Sequence, residues 1–227
     1  MRKGGRHIKD IVYGANDGII TTFAIVAGVA GAGLHTSAII LLGVANLLAD
    51  GFSMAASNYL GSKSEKDFMD FERDDAEKEI ANNASEEKEE LLTLLREHGY
   101  SDTDAKALGN LIFKNKSFFT DLMMQEELSV LPHNKSHISS GALLTFIAFV
   151  VVGFVPIAPF LILNDVQNLF LYSIIATAVT LFIVGSMRSI ITKRSLFFSG
   201  LEMLVVGGIA ALIAYGVGVV LKSLFSF

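Results

Sequence analysis

Cysteine is missing from this chain altogether. That absence excludes disulfides, thiolate zinc sites and thiol nucleophiles, so any bound metal must use oxygen, nitrogen or thioether ligands. Histidine is scarce, and none of it lies among the clustered acids: His98 reads as a helix-end residue, while His133 and His137 lie where the chain re-enters its apolar part. The Glu-x-x-His pair with which helical bundles build di-iron sites does not occur. Soluble repeat periods, low-complexity tracts and nucleotide-binding loops are absent too. The basic start, Met-Arg-Lys-Gly-Gly-Arg-His, leads into an apolar segment without a small-residue cleavage site, which predicts a retained helix and not a signal peptide.

What the chain does have is apolar surface. Of its 227 residues 52% are hydrophobic and the mean hydropathy is +0.51, more than a soluble domain of this size readily hides. Five stretches, 11–33, 37–61, 138–161, 167–190 and 196–221, reach the roughly 20 apolar residues that a bilayer requires. The expected fold is therefore an all-α integral membrane protein with five transmembrane helices and a cytoplasmic helical-bundle insert between the second and third.

Charge divides the chain in the same way. Residues 62–137 hold 18 of the 23 acids and 10 of the 18 bases, leaving a basic-edged remainder at 1–61 and 138–227. An insert of that sign repels phosphates, so nucleic acid is not an expected partner. Arg2, Lys3, Arg6 and Lys9 precede the first stretch, and Arg188, Lys193 and Arg194 surround the turn between the fourth and fifth. The loops near His35 and Asn164 carry neither Lys nor Arg, and Lys222 alone lies on their side, which places the N-terminus and the insert in the cytoplasm. Within the insert, Asn82–Ser85 should break one helix with Ser85 capping the next. Gly99 should close that helix, Ser101 should cap one running to about Lys114, and Ser117 one running to about Val130 before Pro132. Between Phe52 and Lys63 only Gly61 interrupts, so the second span is expected to continue past the membrane as one helix.

The chemistry concentrates in the first two apolar stretches, which carry Asn16, Asp17, Asn46, Asp50, Met54 and Asn58. An intramembrane carboxylate is costly and marks a functional site by default. Asn46, Asp50, Met54 and Asn58 recur every four residues along one helix face, and Asp17 with Thr21 makes a similar stripe on the first helix. A hairpin of about four residues should bring the two helices together antiparallel, offering carboxylate, amide and thioether ligands to one cation. Thioether favours borderline Fe²⁺, Mn²⁺, Co²⁺ or Zn²⁺ over Mg²⁺ and Ca²⁺; the competing reading of Met54 is core or lipid packing. Protons would contend with metal for the desolvated Asp17 and Asp50 oxygens. In the insert, Glu79, Glu86, Glu87, Glu89 and Glu90 flank the Asn82–Ser85 break, and a later helix adds Met123, Met124, Glu126 and Glu127. They read either as a metal-collecting cluster or as a solvated face with a methionine core. Small residues, Gly14 and Gly18, Ala24 and Gly28, Ala27 and Gly31, and later Gly207, Gly208, Gly216 and Gly218, prepare close helix contacts and are compatible with a dimer.

Asn16-Asp17-Gly18 in the first helix, with Ser53-Met54 and Tyr59 in the second, resembles the vacuolar iron transporter family, and the resemblance extends over the whole chain. It implies dimeric exporters of Fe²⁺, with Mn²⁺ second, moving metal from cytosol to vacuole or cell exterior in exchange for protons. It maps the transport site to Asp17 and Met54, and cytoplasmic metal ligands to Glu79, Glu87, Glu90 and Glu127 with Met123 and Met124 alongside. This chain departs from the family pattern at Ser57-Asn58-Tyr59, where Gly-Glu-Tyr is usual, at Ala76, where a glutamate is usual, and at Asp50, often a glycine. No resident cofactor or catalytic residue is expected. The rival readings are a membrane-anchored carboxylate ferroxidase and a non-transporting structural membrane protein. The short N-terminus leans toward a prokaryotic plasma membrane, with a vacuolar-type membrane as the alternative.

Overall fold

The computed structural model describes residues 7–128, 138–163, 167–193 and 195–225. Among them every regular element is a helix. In chain order these are α1 (Ile8–Ala32), α2 (Thr36–Asn82), α3 (Ala84–Glu97), α4 (Asp102–Lys114), α5 (Lys116–Leu128), α6 (Ile138–Gly153), α7 (Ala158–Ile162), α8 (Leu169–Thr192) and α9 (Leu196–Phe225). The chain forms two compact units, Met1–Leu60 with Ile138–Phe227, and Gly61–His137.

In the first unit, α1, α2, α8 and α9 are long and apolar enough to cross a membrane. The third stretch, expected as one span over 138–161, is split into α6, a turn and the short α7. Pro156 is the cause: it has no N–H to donate, and its ring crowds the preceding turn. The chain tightens around it, with Val155 N–H donating to Val152 O (3.2 Å) and Ile157 N–H to Phe154 O (3.1 Å), and the Pro156 carbonyl accepts the buried Ser173 hydroxyl at 2.7 Å.

Helix α1 is the hub, lying against α6, α9 and α8. Its small residues decide this. A Cβ at Gly14 or Gly18 would strike the backbone of Thr145 or Phe149 on α6, and one at Gly31 would strike the Tyr215 carbonyl on α9. Backbones thus meet where side chains would otherwise intervene. The glycine-lined faces of α1 are used within the chain, and Gly208 and Gly216 on α9 face open space. Helix α1 stops at Gly33, in the left-handed region at φ 67°, where Gly33 N–H donates to Ala30 O and Leu34 N–H to Val29 O. The Lys222 ammonium lies against this turn, a positive charge at the negative end of the α1 dipole.

The turn before Thr36 predicts α1 and α2 as packed neighbours, but α2 has no extended close backbone contact with another helix among the described residues. Its partners reach it through side chains: Ile39 joins Phe23, Val26 and Phe160, and Leu47 joins Phe149 and Ile157. With α6 and α9 occupying the glycine faces of α1, only side-chain contact is left for α2. Leu41, Leu48 and Phe52 on α2 and Phe198, Leu212 and Ile213 on α9 are exposed, a surface suited to lipid.

The second unit packs Ile80, Leu91, Leu95, Ala105, Phe119 and Met123 into one core. Its boundaries differ from expectation at two caps. Asn83, and not Ser85, precedes α3, because Asn83 already accepts the first helical bonds from Glu86 and Glu87 N–H. Asn115, and not Ser117, caps α5, its Oδ1 accepting from Phe118 N–H at 3.2 Å. Ser101 caps α4 as expected, accepting from Asp104 N–H. Gly99, at φ 90°, follows α3. Val130 and Pro132 lie outside the described residues. Arg73 ties α2 to α5, donating to Asp121 (2.5 Å) and Ser117 (3.1 Å) and along its own helix to Glu77 (3.1 Å). Burial works against the Arg73 charge, yet the hydrogen bonds to Asp121 and Glu77 outweigh it and hold the guanidinium pKa above its ordinary value.

Candidate metal site

Asp17 stands in the middle of α1, half-buried, beside Gly18 whose backbone presses on α6. Asp50 stands on α2, also half-buried, within electrostatic reach of Asp17. Two like charges on neighbouring apolar helices repel, and a cation between them relieves that repulsion. Asn16 Oδ1, next to Asp17, and Asn46 Nδ2, one turn before Asp50, are buried without a hydrogen-bond partner in the structure. Buried amide atoms of this kind are costly unless something polar reaches them. The arrangement can therefore offer carboxylate and amide oxygen to a hard or borderline cation.

The remaining residues of the two stripes are employed differently. Met54 packs against the Leu47–Phe149–Ile157 cluster, so its thioether lies in a core environment in this chain. The Thr21 hydroxyl donates to the Asp17 backbone carbonyl at 2.8 Å. Asn58 donates to Asp10 Oδ1 at 3.0 Å and to Thr145 Oγ1 at 2.7 Å, away from the Asp17 level. Asp10 and Thr145 were not singled out by the sequence: Asp10 reads as part of a basic edge, and Thr145 as one polar residue in an apolar run. The four-residue spacing back from Asn58 was the available signal.

The insert acids are dispersed. Glu79 and Glu90 are exposed and Glu87 is half-buried, while the side chain of Glu127 lies outside the described residues. Met123 is in the core with Phe119 and Leu91, and Met124 is buried as well. Among the described residues no three His, Asp or Glu side chains come together as a metal site would require. Arg188 and Glu202 pair at 2.5 Å between α8 and α9.

Long apolar helices with an outward apolar surface define a multi-pass helical membrane protein. The profile of the VIT family matches residues 8–219, and the chain belongs to that family. It is 36% identical over 226 residues to the vacuolar iron transporter of Plasmodium berghei, covering 96% of this chain and 83% of that protein. It is similar to the vacuolar iron transporter of Toxoplasma gondii (36%, covering 95% of this chain and 74% of that one) and to vacuolar iron transporter 1 of Arabidopsis thaliana (28%, covering 93% and 84%). These proteins are named as transporters, not as oxidases. Their names point to vacuoles and lend no support to a prokaryotic plasma membrane.

Proposed function

We propose that this chain is a proton-coupled exporter of divalent transition metal, Fe²⁺ first and Mn²⁺ second, moving it out of the cytosol. The observation that carries the reading is Asp17 and Asp50 within electrostatic reach on two membrane helices, with the buried, unpartnered amide oxygen of Asn16 beside Asp17. The names of the relatives supply iron as cargo. Metal and proton would occupy the same carboxyl oxygens in turn, which is the physical basis of antiport. Met54, one turn beyond Asp50, would join the ligand set through a change of its own side-chain rotamer that frees the thioether from Leu47 and Phe149.

In this reading residues 138–162 cross the membrane as a helix broken at Pro156, giving five crossings, with the N-terminus and residues 62–137 in the cytoplasm. The host membrane is of the vacuolar type. Glu79, Glu87, Glu90 and Glu127, with Met123 and Met124 nearby, would collect cytosolic metal, and two copies of the chain would form the working dimer.

The test is Fe²⁺ and Mn²⁺ uptake into proteoliposomes with and without a pH gradient, comparing wild type with Asp17→Asn and Met54→Ala. Gradient-driven uptake abolished in Asp17→Asn and reduced in Met54→Ala is expected. Absence of uptake by well-folded wild type, or full uptake by Asp17→Asn, overturns the proposal.

A further inference from the structure

A polar node lies on α1, α2 and α6 apart from the Asp17 and Asp50 level. Asp10 is in the first turn of α1, where the helix dipole favours a carboxylate. Its Oδ1 accepts from Asn58 Nδ2 at 3.0 Å, and its Oδ2 lies 3.5 Å from His7 Nδ1. Asn58 Nδ2 also donates to Thr145 Oγ1 at 2.7 Å, and that hydroxyl donates to Gly141 O at 3.0 Å. Thr145 is only 1% exposed. Gly141 makes the room: a Cβ there would come within 2.9 Å of Asp10 Oδ2.

The three helices are held unequally. α1 and α6 meet backbone to backbone at Gly14 against Thr145 and Gly18 against Phe149, so Asp10 and Thr145 sit on one rigid pair. α2 lacks such a seam and is held through side chains. Leu47, Phe149 and Ile157 fix its height by non-directional packing, which leaves rotation about its own axis weakly specified. Hydrogen bonds are directional, and Asn58 makes one to each member of the rigid pair. Asn58 is one turn from Met54 and two from Asp50 on the same face. Any rotation of α2 that swung Asn58 off Asp10 and Thr145 would swing Asp50 by the same angle relative to Asp17.

We infer that Asn58 is a positioning residue for transport: by donating to both Asp10 and Thr145 it sets the rotation at which α2 presents Asp50 to Asp17. The inference rests on the transport reading above and adds to it a residue that does not touch metal. An amide suits this task because one –NH₂ group reaches a carboxylate and a hydroxyl together without adding a second charge beside Asp10.

The experiment measures Fe²⁺ uptake in proteoliposomes for wild type, Asn58→Leu, Asn58→Asp and the exchanged pair Asp10→Asn with Asn58→Asp, each first checked for a monodisperse detergent profile. Leucine keeps the volume and cannot donate. Aspartate sets two carboxylates face to face, and the exchange restores one amide-to-carboxylate bond with donor and acceptor reversed. Asn58→Leu should raise KM about tenfold with the maximal rate within about twofold, a loss matching two hydrogen bonds of ordinary net strength. Asn58→Asp should be at least as impaired, and the exchange should recover most of the wild-type KM. Wild-type KM in folded Asn58→Leu, a fall in maximal rate at unchanged KM, or an exchange no better than Asn58→Asp overturns the inference. If Asn58→Leu does not fold, the comparison of Asn58→Asp with the exchanged pair decides alone. Failure here with Asp17→Asn still inactive leaves the transport site standing; full activity of Asp17→Asn removes the site itself.

Discussion

Two glycines on one face-rich helix should respond oppositely to the same substitution. In Gly18→Ala the new Cβ would sit 2.9 Å from Phe149 Cα and 3.0 Å from its carbonyl carbon, with the carbonyl oxygen closer still. Carbon contacts settle near 3.5–4.0 Å. α1 and α6 must therefore part by roughly 0.5–1 Å, and no side chain can turn aside because the obstacle is backbone. Phe149 is fully buried in the Leu47–Ile157 cluster, so parting the helices loosens that cluster as well. Overpacking of this kind costs about 1–3 kcal/mol, against a gain of about 0.8–1 kcal/mol from replacing glycine by alanine within a helix. With backbone as the obstacle the upper part of that cost, about 2–3 kcal/mol, applies, and the net loss is about 1–2 kcal/mol. In Gly28→Ala the nearest atom, Ala214 O, is 3.5 Å from the new Cβ, an ordinary contact, so only the helix-propensity gain remains. Thermal unfolding in one detergent, followed by loss of the monodisperse fraction, should place Gly18→Ala about 2–8 °C below wild type and Gly28→Ala at or above it. Equal melting of the two variants, or a Gly28→Ala that melts lower, refutes the close-seam reasoning.

Two further outcomes concern the second unit. The hydrogen bond from Lys106, then that from Arg96, holds the Asp102 carboxyl below its ordinary pKa of 3.8. A carboxyl whose folded pKa is depressed stabilises the fold above its unfolded pKa and loses that contribution as pH falls through the folded one. Asp102→Asn should therefore melt below wild type at neutral pH, with the gap closing as pH drops below about 4 and narrowing in high salt. A gap independent of pH rejects the charge assignment. Arg73→Met removes the donors to Asp121 and Ser117 and should speed amide exchange in 116–128 several-fold, consistent with about 1 kcal/mol for a partly exposed pair. Unchanged exchange there would show that the Phe119 and Met123 packing alone holds α5.

Much of this protein is determined by local rules that a sequence displays. Apolar length set the membrane class and four of the long helices, because a bilayer selects on about 20 apolar residues whatever surrounds them. The break near Asn82, the Ser101 cap and the run of α2 past Gly61 followed from capping and from the absence of breakers, which act within a few residues. Asp17 and Asp50 were legible because a carboxylate inside an apolar run is conspicuous by its cost. Pro156 was equally visible, and its effect follows from the missing N–H, yet apolar length overshadowed it and the third stretch read as unbroken.

Other features depended on which helix meets which, and pairing is a property of whole surfaces that no single segment carries. The glycine faces of α1 announced a close partner, but only the packed chain assigned them to α6 and α9 and so denied them to α2. The even stripe of Asn46, Asp50, Met54 and Asn58 suggested one lining. Tertiary contacts divided it, sending Met54 into Phe149 and Ile157 and Asn58 onto Asp10 and Thr145. The periodicity fixes the direction in which those side chains leave α2, and the neighbours at each level fix what they meet.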